Sequence, residues 1–265
     1  MRIVRYRMGR TLAHGVLDGH DIFDLEGNVF AEPRRGCRVA AHADVTLLAP
    51  CQPGQIVSVG ANYVDRCVEN ELPVPTEPGR HDSFRLPGEC IIGPEASIRV
   101  PPSEAHVHYG AELGVVMRRD CHGVAADAIA EYVLGYTCVN NVWAKSRPRV
   151  PGVLNIRLYE SFCPVGPWIE TDLDPRDLAL QLRLNGKTRQ ASRTSRMIFD
   201  VFTIVAFVAG CTRLRAGDLI MTATPSGVDR LQAGDRVEVE IEGIGVLANP
   251  VVADAGVPQL PLERL

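Results

Sequence analysis

The spacing of apolar positions along this chain changes character from one end to the other. Residues 1 to 50 carry short alternating runs broken by glycine and aspartate, among them Gly15-Val16-Leu17-Asp18-Gly19 and Ile22-Phe23-Asp24-Leu25. They predict a small β-rich leader ending at Leu47-Leu48-Ala49-Pro50. Ile56 to Gly60 reads as a buried strand, Asn62 to Glu71 as a short helix, and the proline-rich stretch Pro73 to Pro78 as a loop. Ala111 to Val116 is apolar enough to be a buried strand. A helix is expected over Val124 to Val133, with Ile129, Tyr132 and Val133 facing inward and Gly135 past its end. Met197, Ile198, Val201, Ile204, Val205 and Val208 follow the 3.6 period. They predict a helix from Ser195 to Ala209, capped by Thr194 and stopped by Gly210. In the last third, Val237, Val239 and Ile241 alternate with Glu238, Glu240 and Glu242, the mark of a strand with one buried face. The sum is a β-dominated α+β protein.

Composition narrows the partners. The 265 residues are 46% hydrophobic and 23% charged with a formal net charge of −4, which provides no electrostatic case for nucleic acid or an anionic membrane. Apolar runs are too short for a membrane-spanning helix, and the N-terminal segment carries charge throughout instead of a signal-peptide core. The eight cysteines lack any CxxC pair, which speaks for reduced thiols in a cytoplasmic protein and against a zinc ribbon.

Function becomes legible through a series of ordered segments. They are Val59-Gly60-Ala61-Asn62-Tyr63, Ile92-Gly93-Pro94, Tyr109 to Val116, Gly135-Tyr136-Thr137 to Val142 and Phe162 to Trp168. Asn185-Gly186, Thr194 to Phe199, Gly217-Asp218, Thr222 to Val228 and Glu242 to Pro250 complete the series. In order and spacing this set resembles the fumarylacetoacetate hydrolase superfamily, in particular its short bacterial isomerases and decarboxylases. The resemblance implies a mixed β-sandwich roll over residues 51–265 behind a small β-rich subdomain over residues 1–50. It also implies a homodimer and a pocket for a small carboxylic or oxo-acid substrate.

The same resemblance implies a divalent cation held by three carboxylates, which would stabilise an enolate. Here the ligand positions read Gly110, Glu112 and Asn141, so one anionic ligand of three survives, and no metal cofactor is expected. The lid pattern Asn-Tyr-x-Asp-His-x-x-Glu appears as Asn62 to Glu69, with Arg66 at the histidine position. A guanidinium cannot take a proton from water near neutrality. Leu86 replaces the lysine of a Phe-x-Lys-Pro motif, while Arg157 and Glu160 preserve the charges of a later Lys-x-x-Asp. Glu112, Glu69, Glu160, Arg157 and Arg66 are therefore the catalytic candidates. Thr224, Gln190, Tyr136, Asn141 and Arg157 are the substrate-binding ones. Ala223 replaces the first glycine of a Gly-Thr-Pro-x-Gly loop, restricting its backbone.

Structural readings stand beside these. Glu112 could simply pair with an arginine such as Arg157, Arg66 could be a solvated residue, Asn141 a hydrogen-bonder, and Cys163 packed core. Ser226 has no histidine near it in sequence for a hydrolytic triad. His108 and Glu112 would stand roughly 13 Å apart on a regular strand, too far to share one ion. The leading expectation is an enzyme moving a proton on a small 2-oxo acid or enol without a metal, by isomerisation, tautomerisation, decarboxylation or cyclisation. The alternatives are a non-catalytic ligand-binding or structural homologue, and a conventional Mg²⁺-dependent 2-hydroxyhepta-2,4-diene-1,7-dioate isomerase or C–C hydrolase.

Overall fold

The computed structural model describes residues 1–79, 83–86, 88–102, 106–144 and 159–254. Strands β1 (Arg2–Met8), β2 (Thr11–Asp18), β3 (Asp21–Glu26) and β4 (Arg34–Ala41) form an antiparallel meander. A short β5 (Thr46–Leu48) returns to pair with the second half of β1. The chain continues through β6 (Ile56–Val59), the helix α1 (Val64–Glu69), β7 (Ser83–Leu86), β8 (Ile91–Ile92), β9 (Ile98–Val100) and β10 (Val107–His108). Next come β11 (Ala111–Met117), β12 (Val133–Asn140), β13 (Trp143–Ala144), β14 (Cys163–Glu170), β15 (Ala179–Leu184) and β16 (Lys187–Arg193). The helix α2 (Val201–Cys211) and strands β17 (Leu219–Met221), β18 (Arg236–Ile241) and β19 (Gly245–Ala253) complete the order.

One large mixed sheet runs β4-β3-β2-β1-β14-β12-β11-β17-β6-β7, and a second runs β16-β15-β18-β19-β9. The leader is continuous with the large sheet, because Arg2 and Ile3 pair with Glu170 and Ile169 of β14. The alternation read at 237–241 is realised in β18, whose valines and isoleucine are buried between glutamates. Those residues, with Leu180 and Leu182, pack against Leu113, Val115 and Cys138 of the large sheet and against Ile204 and Val208 of α2. Ile3, Val116, Val139, Cys163 and Met221 form a second apolar cluster. Cys163 is thus packed core, fully buried.

Two motifs of the series prove to be staples between distant segments. Asp218 accepts from the backbone N–H groups of Gln55 and Arg215 and from the Gln55 side chain, at 3.1, 2.8 and 2.8 Å. The Asn249 amide donates to the carbonyls of Gly93 and Ala96.

The expected helices need correction. Residues 194–209 do not form one helix: Thr194–Arg196 is a single 3-10 turn, and α2 begins at Val201. Asp200, not Thr194, is its cap, accepting from the Thr203 N–H at 2.7 Å. Met197 lies in an extended bridge with Tyr63, and Gly210 sits inside the last turn, ahead of the cap at Thr212. The helix expected over 124–133 is a 3-10 segment, Ala126–Tyr132. Gly135 lies inside β12, where a Cβ would come within 2.4 Å of the Glu170 carbonyl oxygen. Its missing side chain is what lets β14 close on β12.

Candidate active site

The site is built at the end of β11, where that strand, the end of β12 and the loop after β17 meet. Glu112 on β11 is 1% exposed. Its Oε1 accepts from the Asn141 side-chain amide at 2.6 Å and its Oε2 from the Ala223 backbone N–H at 2.9 Å. Hydrogen bonds to a charged group are worth about 1.5–3 kcal/mol each, so the two donors hold the carboxylate in one orientation. Asn141 is held by its own N–H, which donates to the Gly110 carbonyl at 2.8 Å. The Asn140 side chain in turn accepts from the Gly110 N–H at 3.2 Å.

Gln190 on β16 fastens the loop that carries Ala223 and Thr224. Its carbonyl accepts from the Ala111 N–H at 2.9 Å, and its amide donates to Thr224 Oγ1 at 2.9 Å and to the Pro225 carbonyl at 2.8 Å. The amide is engaged at both ends, so Gln190 positions the loop instead of presenting donors to a ligand. Ala223 adopts φ +80, a left-handed conformation that is costly for any side chain, and it is this geometry that aims its N–H at Glu112. Gly227 closes the loop at φ +93, where a Cβ would meet the Arg189 carbonyl oxygen at 2.2 Å.

Helix α1 covers the same loop. Asp65 accepts from the Ser226 hydroxyl at 2.8 Å and Glu69 from the Gly227 N–H at 3.0 Å. Arg66 forms an ion pair with Glu69 one turn on, and its guanidinium lies 6.0 Å from the centre of the Trp143 ring. Trp143 stacks on His108 with ring centres 5.8 Å apart. Asn62 anchors the start of α1: its amide donates to the carbonyls of Phe199 and Thr222, and its carbonyl accepts from the Phe199 N–H.

Of the residues singled out from sequence, the structure therefore brings Glu112, Asn141, Thr224 and Gln190 together, with Arg66 and Glu69 at the rim. Tyr136 does not join them. It lies opposite Val115 in β12, on the face away from Glu112, and lines a separate cleft with Arg118, Asp174 and Phe202. Burial pushes its phenol pKa up. Strand parity explains the miss, since Tyr136 and Glu112 point to opposite sides of one sheet. Glu160 is exposed in the turn before β14, and Leu86 is buried in the second apolar cluster. Arg157 lies outside the described residues. Sequence reasoning passed over Tyr63 and Asp65, although both stand within motifs it had marked, and it weighed Ser226 only as a triad nucleophile.

Residues 55–252 match the family profile described as fumarylacetoacetate (FAA) hydrolase C-terminal. The chain belongs to the fumarylacetoacetate hydrolase family. Residues 1–50 match a second profile, Rv2993c-like N-terminal. Protein Rv2993c of Mycobacterium tuberculosis is 43% identical over 263 residues, spanning 95% of this chain and 98% of that protein. The mitochondrial oxaloacetate tautomerase FAHD2A of Bos taurus is 36% identical over 230 residues, 81% of this chain and 72% of its own length. The crystal structure of 2-hydroxyhepta-2,4-diene-1,7-dioate isomerase from Mycobacterium marinum superposes with a TM-score of 0.87 at 37% identity, covering 96% of this chain and 99% of that one.

A divalent cation held by this fumarylacetoacetate hydrolase family's three carboxylates does not fit the residues present. Gly110 offers no ligand, and a Cβ built there would lie 3.0 Å from Thr224 Cβ, Cγ2 and Oγ1, so threonine fills the space where a carboxylate would begin. Asn141 turns its N–H toward Glu112, where a ligand would turn an oxygen toward an ion. Among the described residues, no three histidine, cysteine or acidic side chains are grouped to hold a metal.

Proposed function

We propose that this chain is a tautomerase or isomerase of small 2-oxo acids that moves a proton through Glu112 without a divalent metal. The reading draws on its relatives, one named as an oxaloacetate tautomerase and one as a dienedioate isomerase, both reactions that shift a proton next to a 2-oxygen. The observation that carries it is the buried Glu112 carboxylate, fixed by the Asn141 amide and the Ala223 N–H. A carboxylate is a group that can take a proton from carbon as a general base. Water-driven C–C cleavage has less support, because Arg66 replaces the lid histidine and Glu69 is tied to Arg66 and Gly227. On the sequence reading, Arg157 supplies the counter-charge for the substrate's carboxylate.

Ketonisation of enol-oxaloacetate, followed by the loss of enol absorbance, tests the proposal. The wild type should accelerate it equally with and without EDTA. Glu112→Gln should lose about 10²–10⁴-fold, the usual worth of a general acid–base group. Activity abolished by EDTA and restored by Mn²⁺ would remove the metal-free part. Full activity in Glu112→Gln would remove Glu112.

A further inference from the structure

Tyr63 immediately precedes α1 and is 0% exposed, yet among the described residues its hydroxyl has no hydrogen-bond partner. A buried hydroxyl left unsatisfied destabilises a fold by about 1–3 kcal/mol. Phenylalanine would fill the same space at no such cost, so the oxygen needs an explanation outside packing.

Its position supplies one. Asn62, the neighbouring residue, donates to the Thr222 carbonyl at 3.3 Å, and the next residue after Thr222 is Ala223, whose N–H binds Glu112. The backbone bridge between Tyr63 and Met197 fixes the main chain from which the ring projects. Burial first, then the nearby charges of Glu112 and Asp65, push the phenol pKa well up, so at neutral pH it is a protonated donor. Helix α1, which begins at the next residue, is six residues long and carries Val64 and Val68 in solvent, 50% and 70% exposed.

The geometry points to Tyr63 as the hydrogen-bond donor to the substrate's 2-oxygen, a catalytic residue occupying the role that a cation fills in metal-bearing sites. This assignment rests on the tautomerase reading above. Glu112 takes the proton from C3, and the C3–H pair becomes the C2=C3 double bond. The carbonyl π pair moves to the C2 oxygen, which receives the Tyr63 hydrogen bond while the phenol keeps its own proton. The protonated Glu112 then delivers its proton to that oxygen, giving the enol. One proton has moved from carbon to oxygen, and the reverse order gives ketonisation. An oxyanion donor of this kind typically contributes about 10²–10³ in rate.

The experiment compares wild type and Tyr63→Phe for enol-oxaloacetate ketonisation, for oxalate binding by calorimetry, and for the urea unfolding midpoint. Oxalate is the probe because it imitates the planar enolate of a 2-oxo acid. The variant should lose about 100-fold in kcat with little change in KM and weaken oxalate binding about tenfold, while its midpoint rises. A variant as active as wild type overturns the assignment, whatever its stability. A fall in activity together with a fall in midpoint also overturns it and assigns Tyr63 to packing. If wild type neither turns over the enol nor binds oxalate, the tautomerase reading itself fails and takes this inference with it.

Discussion

Putting the missing acids back should convert this site into a metal site, and the structure sets the terms. In Asn141→Asp a second carboxylate would stand where the Asn141 amide now lies 2.6 Å from Glu112 Oε1. Two unit charges at that separation repel by about 6 kcal/mol even at an effective dielectric of 20, so without an ion the pair shares a proton and the fold weakens. Gly110→Glu adds a third acid but meets Thr224 at 3.0 Å, so Thr224→Ala belongs with it to clear Cγ2 and Oγ1. A divalent ion gains about twice the unit-charge attraction from each carboxylate, and mutual repulsion cancels most of it. A net gain of about 2 kcal/mol per restored acid gives about 4 kcal/mol, or roughly 10³ in Kd. Chelated, dialysed protein titrated with Mn²⁺ by calorimetry should show wild-type binding weaker than millimolar and micromolar binding in the triple variant. The variant should also melt low alone and recover with Mn²⁺, by mass action. Micromolar binding by the wild type, or no gain in the variant, would refute the reasoning.

Three further outcomes follow from local geometry. Ala223→Gly should raise the unfolding free energy by about 0.5–1 kcal/mol, because relief of the strain at φ +80 exceeds the extra freedom glycine gains when unfolded; urea denaturation checks the sign. Gln190→Leu should cost about 2–4 kcal/mol by the same assay, since it strands the Ala111 N–H, Thr224 Oγ1 and the Pro225 carbonyl in a buried place. Glu240 is held below the usual carboxylate range, chiefly by its hydrogen bond from Arg183, so it contributes stability above its unfolded pKa that is lost as pH falls through the lower folded value. Glu240→Gln should therefore flatten the acid limb of a stability–pH curve, by less than about 1 kcal/mol because the side chain is 39% exposed.

The strands were legible from sequence where burial has a simple period. Residues 111–116, 56–59 and 237–241 all fall where alternation or apolar runs placed them. The long helix was not, because Met197 and Ile198 keep helical spacing by coincidence while their backbone serves Asn62 and Tyr63: Met197 bridges Tyr63, and the Ile198 N–H donates to the Asn62 carbonyl. Asp200 supplied a competing cap that periodicity does not weigh. At the site, Glu112 was visible as the survivor of a motif and Asn141 as a replacement within it. That the Asn141 amide serves Glu112, that Gln190 is a staple and that Tyr136 faces away depend on strand parity and loop closure, which residue types do not carry. Tyr63 was hidden because an unsatisfied hydroxyl is a property of the surroundings.

The junction between the leader and the large sheet shapes the order in which this chain can assemble. As it emerges during synthesis, β1 to β5 can pair among themselves, since β2 lies along one edge of β1 and β5 covers Arg5 to Arg7 on the other. Arg2 and Ile3 have no strand on that second edge until β14 arrives, some 160 residues later. During that interval the nascent protein carries a short open β-edge capped by an arginine, and positive charge at such an edge discourages pairing with other chains. The bonds that build the candidate site are long-range as well, Asn62 to Thr222 across 160 residues and Glu112 to Ala223 across 111. The candidate site therefore cannot close until Thr222 and Ala223 have been made, and contacts of such long range tend to form late.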